Sequence, residues 1–185
     1  MIIDKYKTIF IHIPKNAGSS VAEFFSKQWV SLRVQPNKHD TAYQIRSRFP
    51  ELYNSYSKFA IIRNPYDRMV SWYFYLKRNA LKGISSEYDV IPFEKWVEDP
   101  YKFWHFDDPP NFIDPQHSWV DETVVILRYE NLKEDLNRFF EEEIDLPWVN
   151  KSNHENYLNY YNKQTLDIVY DRYKEDFEKY NYKKL

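Results

Sequence analysis

The chain has 185 residues, a formal net charge of −2 and no cysteine. Those totals exclude a disulfide scaffold, a thiol nucleophile and a zinc–thiolate site, and they lack the basic excess expected of a nucleic-acid-binding protein. Seventeen tyrosines reconcile a low mean hydropathy of −0.78 with ample core material, because phenols score as polar while burying large rings. No apolar stretch approaches the ~20 residues of a membrane span. The start "MIIDKYKTIFIHI" lacks the basic segment and apolar run of a signal peptide. With no repeat, linker or block of like charge, a single domain over residues 1–185 in a reducing, cytoplasmic setting is expected.

In chain order, "TIFIHI" predicts a strand running into the turn "PKNAGSS". The period then changes: Val21, Phe24, Phe25 and Trp29 share one helical face, which predicts strand, loop, helix. Ser19 or Ser20 is expected to cap that helix. Its unpaired N–H groups and partial positive charge, with Lys15 beside them, make an anion site. Gly18 is one of only two glycines, the other being Gly83; it marks either close approach of backbone to a ligand, a positive φ, or an ordinary turn. The terminal Gly-Lys-Ser/Thr of a triphosphate loop is missing.

Further on, "WVSLRV" predicts a short strand, "TAYQIRSRF" a helix, "KFAIIR" a buried strand, and "YDRMVSWYFYLKRNA" a long helix with Met69, Val70, Tyr73 and Ala80 toward the core. "FEKWVE" predicts a helical turn and "TVVILRY" a strand. In "NLKEDLNRFFEEE", Asn131 and Glu134 have the spacing of a capping box ahead of Leu136, Phe139 and Phe140. Leu166, Val169, Tyr170, Tyr173, Phe177 and Tyr180 predict one amphipathic C-terminal helix. This alternation predicts an α/β fold, P-loop-like, with a central parallel sheet flanked by helices and a ligand site beyond the carboxyl ends of the strands.

The strand "KFAIIR" ends at Arg63, where a nucleoside triphosphatase would carry an aspartate to help hold magnesium. An arginine there points to direct contact with an anion. Ser71 lies about two helical turns further along and can face the same anion; a surface arginine and a helical serine with purely structural roles is the alternative.

Together, "HIPKNAGSS" and "FAIIRNPYDRMVSWY" closely resemble the paired signatures of sulfotransferases that use 3′-phosphoadenosine 5′-phosphosulfate, particularly the branch containing carbohydrate sulfotransferases. The resemblance continues more weakly through "HDTAYQI", "ILRYENLKEDL" and the C-terminal tyrosine-rich segment, and so spans most of the chain. It implies that Lys15 contacts the 5′-phosphosulfate and its bridging oxygen, with Asn16, Ala17 and Gly18 giving main-chain N–H groups and Ser19 and Ser20 completing the loop. It implies that Arg63 and Ser71 hold the 3′-phosphate, and that the reaction needs no metal. Asn16 and Ala17 stand where the family often has Thr or Gly, a departure that keeps the main-chain donors.

An acceptor hydroxyl needs a general base, and histidine suits neutral pH. His12, His39, His105, His117 and His154 are the candidates. His12 alternates with Ile11 and Ile13 and is given mainly a structural role. His39 follows the second strand, and a histidine at the corresponding point of related carbohydrate sulfotransferases is the base; a surface or capping role is its alternative. Asp40 either orients His39 or caps the next helix, capping being preferred, and Glu130 is a second possible base.

The aromatic, proline-rich "YKFWHFDDPPNFIDPQHSWV" is the candidate acceptor loop, with Gln116 and His117 as its polar members; a loop anchored by its own rings is the alternative. "YLNYYNKQT" either covers the nucleotide or packs the last helix, and packing is preferred. The expected activity is sulfuryl transfer to a hydroxyl acceptor, with a carbohydrate the best-matched class. Two other classes remain: a Mg²⁺-dependent phosphotransferase using Glu130, and a catalytically silent nucleotide-binding protein.

Overall fold

The computed structural model describes residues 1–27, 32–33, 38–80, 91–103, 111–147, 149 and 155–185. Trp29, Gly83, His105 and His154 lie outside the described residues, as does much of the candidate acceptor loop. The chain divides into two compact units, Met1–Arg63 with Gln116–Asn150, and Asn64–Pro115 with Lys151–Leu185.

The first unit carries a five-stranded sheet in the order β3-β1-β2-β4-β5. Its strands are β1 (Ile2–Ile3), β2 (Thr8–Ile11), β3 (Leu32–Arg33), β4 (Ser57–Ile62) and β5 (Val125–Arg128). β2, β4 and β5 are parallel, in a register that sets Phe10 beside Phe59 and Ile61 beside Leu127. The expected α/β fold is therefore present, but the sheet is mixed, because β1 runs antiparallel to both β2 and β3. A two-residue strand has no periodicity to read, which is why β1 leaves no mark in the sequence pattern.

Phe10, Phe59, Ile61 and Leu127 line one face of the sheet. Val21, Phe24 and Phe25 of α1 (Gly18–Lys27) and Leu136 of α6 (Leu132–Phe140) pack on that face. Ile9, Ile11, Ala60 and Ile62 of the opposite face are also buried, as the continuous apolar runs of parallel strands require.

Between β3 and β4 the helix predicted over "TAYQIRSRF" is α2 (Ala42–Arg48), and a second helix without a counterpart in the sequence reading, α3 (Pro50–Ser55), follows it. Pro50 bars the α region to Phe49, which sits at φ −134°, ψ 56°. A capping box between Thr41 and Gln44 starts α2. Asp40 is not the cap; its buried carboxylate pairs with Arg48 at 2.8 Å. The capping box expected ahead of α6 does not form either. A 3₁₀ turn, Tyr129–Asn131, feeds straight into the helix and holds Asn131 at φ −123°, ψ 29°, away from the extended backbone that aims a capping side chain.

The second unit is helical: α4 (Pro65–Ala80), α5 (Phe93–Glu98), α7 (Lys163–Arg172) and α8 (Lys174–Lys179). Tyr66, Met69, Val70, Trp96, Val169 and Phe177 form its core. The C-terminal helix breaks at Tyr173, which leaves helical geometry at φ −114°, ψ 22° while its buried hydroxyl donates to the Ile113 carbonyl at 2.8 Å. Arg68 is fully buried and donates to the carbonyls of Phe112 and Asp114, fixing the loop before Gln116. Tyr160 and Tyr161 pack on this core, and Tyr161 donates to the Tyr66 carbonyl. That is the preferred packing role of "YLNYYNKQT".

Candidate active site

The parallel register brings the carboxyl ends of β2, β4 and β5 to one edge of the first unit. Three segments leave from that edge: the loop 12–17, the strand end at Arg63, and the 3₁₀ turn Tyr129–Asn131.

The loop is strained. Lys15 at φ 70° and Ala17 at φ 61° are left-handed, two of the five non-glycine residues in that region among the described residues. Each costs on the order of 1–3 kcal/mol, and such conformations cluster at ligand-binding sites. A left-handed residue beside a right-handed one is what turns successive main-chain N–H groups to one side, and Lys15 and Ala17 supply two left-handed members on either side of Asn16. Because Ala17 is left-handed, α1 starts at Gly18, and the Ala17 carbonyl accepts from Ser20 N and Val21 N. Ser19 and Ser20 therefore lie inside the first turn, not at the expected cap. The Ser20 hydroxyl accepts from Val149 N at 3.2 Å.

Gly18 does not supply the positive φ; its neighbours do. A Cβ at this position would overlap the imidazole of His12, at Nε2 and Cδ2. His12 is 4% exposed, stacked on Phe10 on one side and 4.3 Å from the His39 ring centroid on the other, so the ring has nowhere to go. Gly18→Ala is expected to destabilise the protein by about 1–3 kcal/mol through this overlap. In a His12→Ala background the same change should cost less than about 1 kcal/mol, since alanine is the better helix former. Thermal melts of the four proteins check the coupling, and additive effects would refute it.

His39 is half-buried, and its Nδ1 lies 2.9 Å from the His12 carbonyl. A carbonyl only accepts, so Nδ1 carries the proton and Nε2 is the unprotonated nitrogen. Burial pushes the His39 pKa down to about 4; the His12 carbonyl opposes the shift and Lys38 adds to it. Burial, then the charge of His39 and of Lys38, likewise hold His12 well below its ordinary value. Both rings are neutral at pH 7.

Arg63 is 6% exposed. Its guanidinium lies 4.1 Å from the centroid of the Tyr129 ring, and Nη1 donates to the Lys15 carbonyl at 3.2 Å. Neither of these partners is a carboxylate, so neither cancels its charge. Asn16 is buried, and its Nδ2 donates to the Ile61 carbonyl and to Gln116 Oε1, both at 2.7 Å. Gln116 is fully buried and bonded to the main chain of Arg63, so its amide lies beneath the loop and not on the surface where an acceptor would arrive. His117 is partly exposed on the turn Gln116–Trp119, and Glu130 is exposed on the turn after β5. Ser71 is buried on α4 of the second unit. Sequence reasoning missed the side-chain roles of Asn16 and Gln116; the unusual Asn16 was the available signal. Among the described residues no helix is long and apolar enough to cross a membrane, and no three His, Asp or Glu side chains form a metal-ligand group.

A mixed, mostly parallel sheet flanked by helices, with a strained loop after its first parallel strand and an arginine just after the next, defines an α/β protein. The chain belongs to the sulfotransferase family, whose model matches residues 1–183. It is also similar to an uncharacterized protein of Archaeoglobus fulgidus, 30% identical over 122 residues, which cover 63% of this chain and 95% of that one. No solved structure matches it.

Proposed function

We propose that the chain transfers a sulfuryl group from 3′-phosphoadenosine 5′-phosphosulfate to a hydroxyl acceptor of a carbohydrate. The carrying observation is the contact of Arg63 Nη1 with the carbonyl of Lys15, which ties the arginine ending β4 to the strained loop after β2. An arginine and a main-chain concavity on one edge fit a ligand with anionic groups at both ends of a nucleoside. The carbohydrate acceptor rests on the likeness of the two motifs to that branch of the family. The lack of cysteine is compatible with a reducing compartment such as the cytoplasm.

When bound, the donor supplies the sulfuryl group and leaves as adenosine 3′,5′-bisphosphate. In this reading the main chain of Asn16, Ala17 and Gly18, with Ser19 and Ser20, holds the 5′ end. Arg63 holds the 3′-phosphate, and Ser71 joins it on the strength of the motif. Lys15 meets the negative charge that develops on the departing phosphate, and His39 Nε2 takes the acceptor proton. Glu130 and His117 are left to the acceptor side.

Isothermal titration tests the donor. Wild-type protein is expected to bind adenosine 3′,5′-bisphosphate without a metal ion, and Arg63→Ala to weaken that binding about 10–100-fold, the worth of a hydrogen-bonded charge pair. Unchanged affinity in Arg63→Ala would remove the arginine from the site. Binding of ATP only with Mg²⁺ would support a phosphotransferase instead, and a mass-spectrometric screen of a glycan library with donor present would identify a carbohydrate acceptor.

A further inference from the structure

We propose that Gln116 is a positioning residue that sets the loop after β2 and the arginine after β4 in fixed relation, so that both ends of a bisphosphate nucleotide are gripped at once. Gln116 is fully buried and lies 100 residues from Asn16 and 53 from Arg63. Its Oε1 accepts from Asn16 Nδ2 at 2.7 Å and from Arg63 N at 2.9 Å, while its Nε2 donates to the Arg63 carbonyl at 2.9 Å.

One side-chain amide thus engages both main-chain groups of Arg63, as a neighbouring strand would. The ladder between β4 and β5 ends at Ile62 paired with Arg128, so Gln116 continues β4 by one residue, the residue that carries the guanidinium. Through the same Oε1 it holds Asn16, whose Nδ2 also reaches the Ile61 carbonyl. Asn16 lies between the two left-handed residues of the loop, where a small rotation would redirect the N–H groups on either side. The amide has a donor and an acceptor in the arrangement the two segments need; an apolar side chain of similar size has neither, and would leave buried polar groups of both segments short of a partner.

The role rests on the donor reading above, and the test separates the two. Dissociation constants for adenosine 3′,5′-bisphosphate and adenosine 5′-monophosphate are measured by titration or competition in wild type, Gln116→Leu, Gln116→Glu and Leu136→Ala, each well below its melting temperature. Wild type should prefer the bisphosphate. Gln116→Leu should shrink that preference by about tenfold, since a displaced Arg63 no longer meets the 3′-phosphate. Leu136→Ala, a buried α6 residue remote from these contacts in sequence, should melt early yet keep the preference, as a merely structural role for Gln116 would also do.

Should Gln116→Leu fail to fold, Gln116→Glu carries the comparison: it keeps the acceptor toward Asn16 and Arg63 N but sets a carboxylate oxygen against the Arg63 carbonyl. A preference unchanged in the folded Gln116 variants overturns the positioning role. A wild type that binds neither nucleotide overturns the donor reading, and this role with it, whatever the variants do.

Discussion

Replacing His39 with alanine is expected to lower kcat by about 10²–10⁴-fold, the range for loss of a general base, while adenosine 3′,5′-bisphosphate still binds. The sharper variant is His39→Asn. An asparagine amide can keep the donation to the His12 carbonyl that Nδ1 makes, and it deletes Nε2. If the ring acts only as a prop for residues 12 and 39, His39→Asn retains turnover; if Nε2 takes the proton, it is as impaired as alanine. Retained turnover in both would move the base to Glu130 or His117.

The pH dependence follows from the same burial. With its pKa pushed down to about 4, His39 stays unprotonated and competent as a base across pH 5–7. The acid limb of kcat/KM, which reports the free enzyme, should therefore lie well below the 6.5 of an ordinary histidine. In kcat the limb should sit higher, because a bound anionic donor favours the imidazolium. Stability has the matching sign. A folded-state pKa below the unfolded one means the unfolded chain binds the extra proton between pH 6.5 and about 4, so stability is present above that window and declines as pH falls through it. For His39 the loss is on the order of 3 kcal/mol, and His12 adds to it in the same direction. Denaturant melts at pH 7 and pH 4.5 check this; equal stability at the two would contradict the buried neutral pair.

What the sequence made legible is local. "TIFIHI" and "KFAIIR" alternate or run apolar as buried strands must, and the change of period after "PKNAGSS" is enough by itself to put the loop at a strand end. What it hid depends on contacts across distance or on elements too short to have a period. β1 is two residues long. Gly18 leaves three readings open in the sequence, a ligand, a positive φ or an ordinary turn; the group packed against it is the His12 ring just after β2, and only the folded chain shows that. Gln116 reads as a polar member of a candidate acceptor loop, and no local pattern pairs it with residues 16 and 63. The capping signals show the limit of spacing rules: Asn131 has the right neighbour and the wrong backbone, whereas Thr41 has both.

Lys15→Ala separates charge stabilisation from binding. If the ammonium group meets the charge that develops on the departing phosphate, its contribution is larger in the transition state than in the ground state. Turnover should then fall by about 10²–10³-fold, the cost of deleting one preorganised electrostatic contact, with donor affinity reduced much less. Arg63→Ala should show the reverse, because the 3′-phosphate carries the same charge before and after transfer. The substitution at 15 has a structural side as well, since this residue is left-handed and its carbonyl accepts from Arg63. Alanine tolerates φ 70° no better than lysine does, so the loop's strain is unchanged by the exchange. Lys15→Gly relieves that strain and also removes the amine. If the two variants are equally slow, the ammonium is what turnover requires; if glycine is much slower than alanine, the strained loop conformation itself contributes, because only glycine lets it relax. A lysine replacement that left kcat intact and weakened only donor binding would exchange the proposed roles of Lys15 and Arg63.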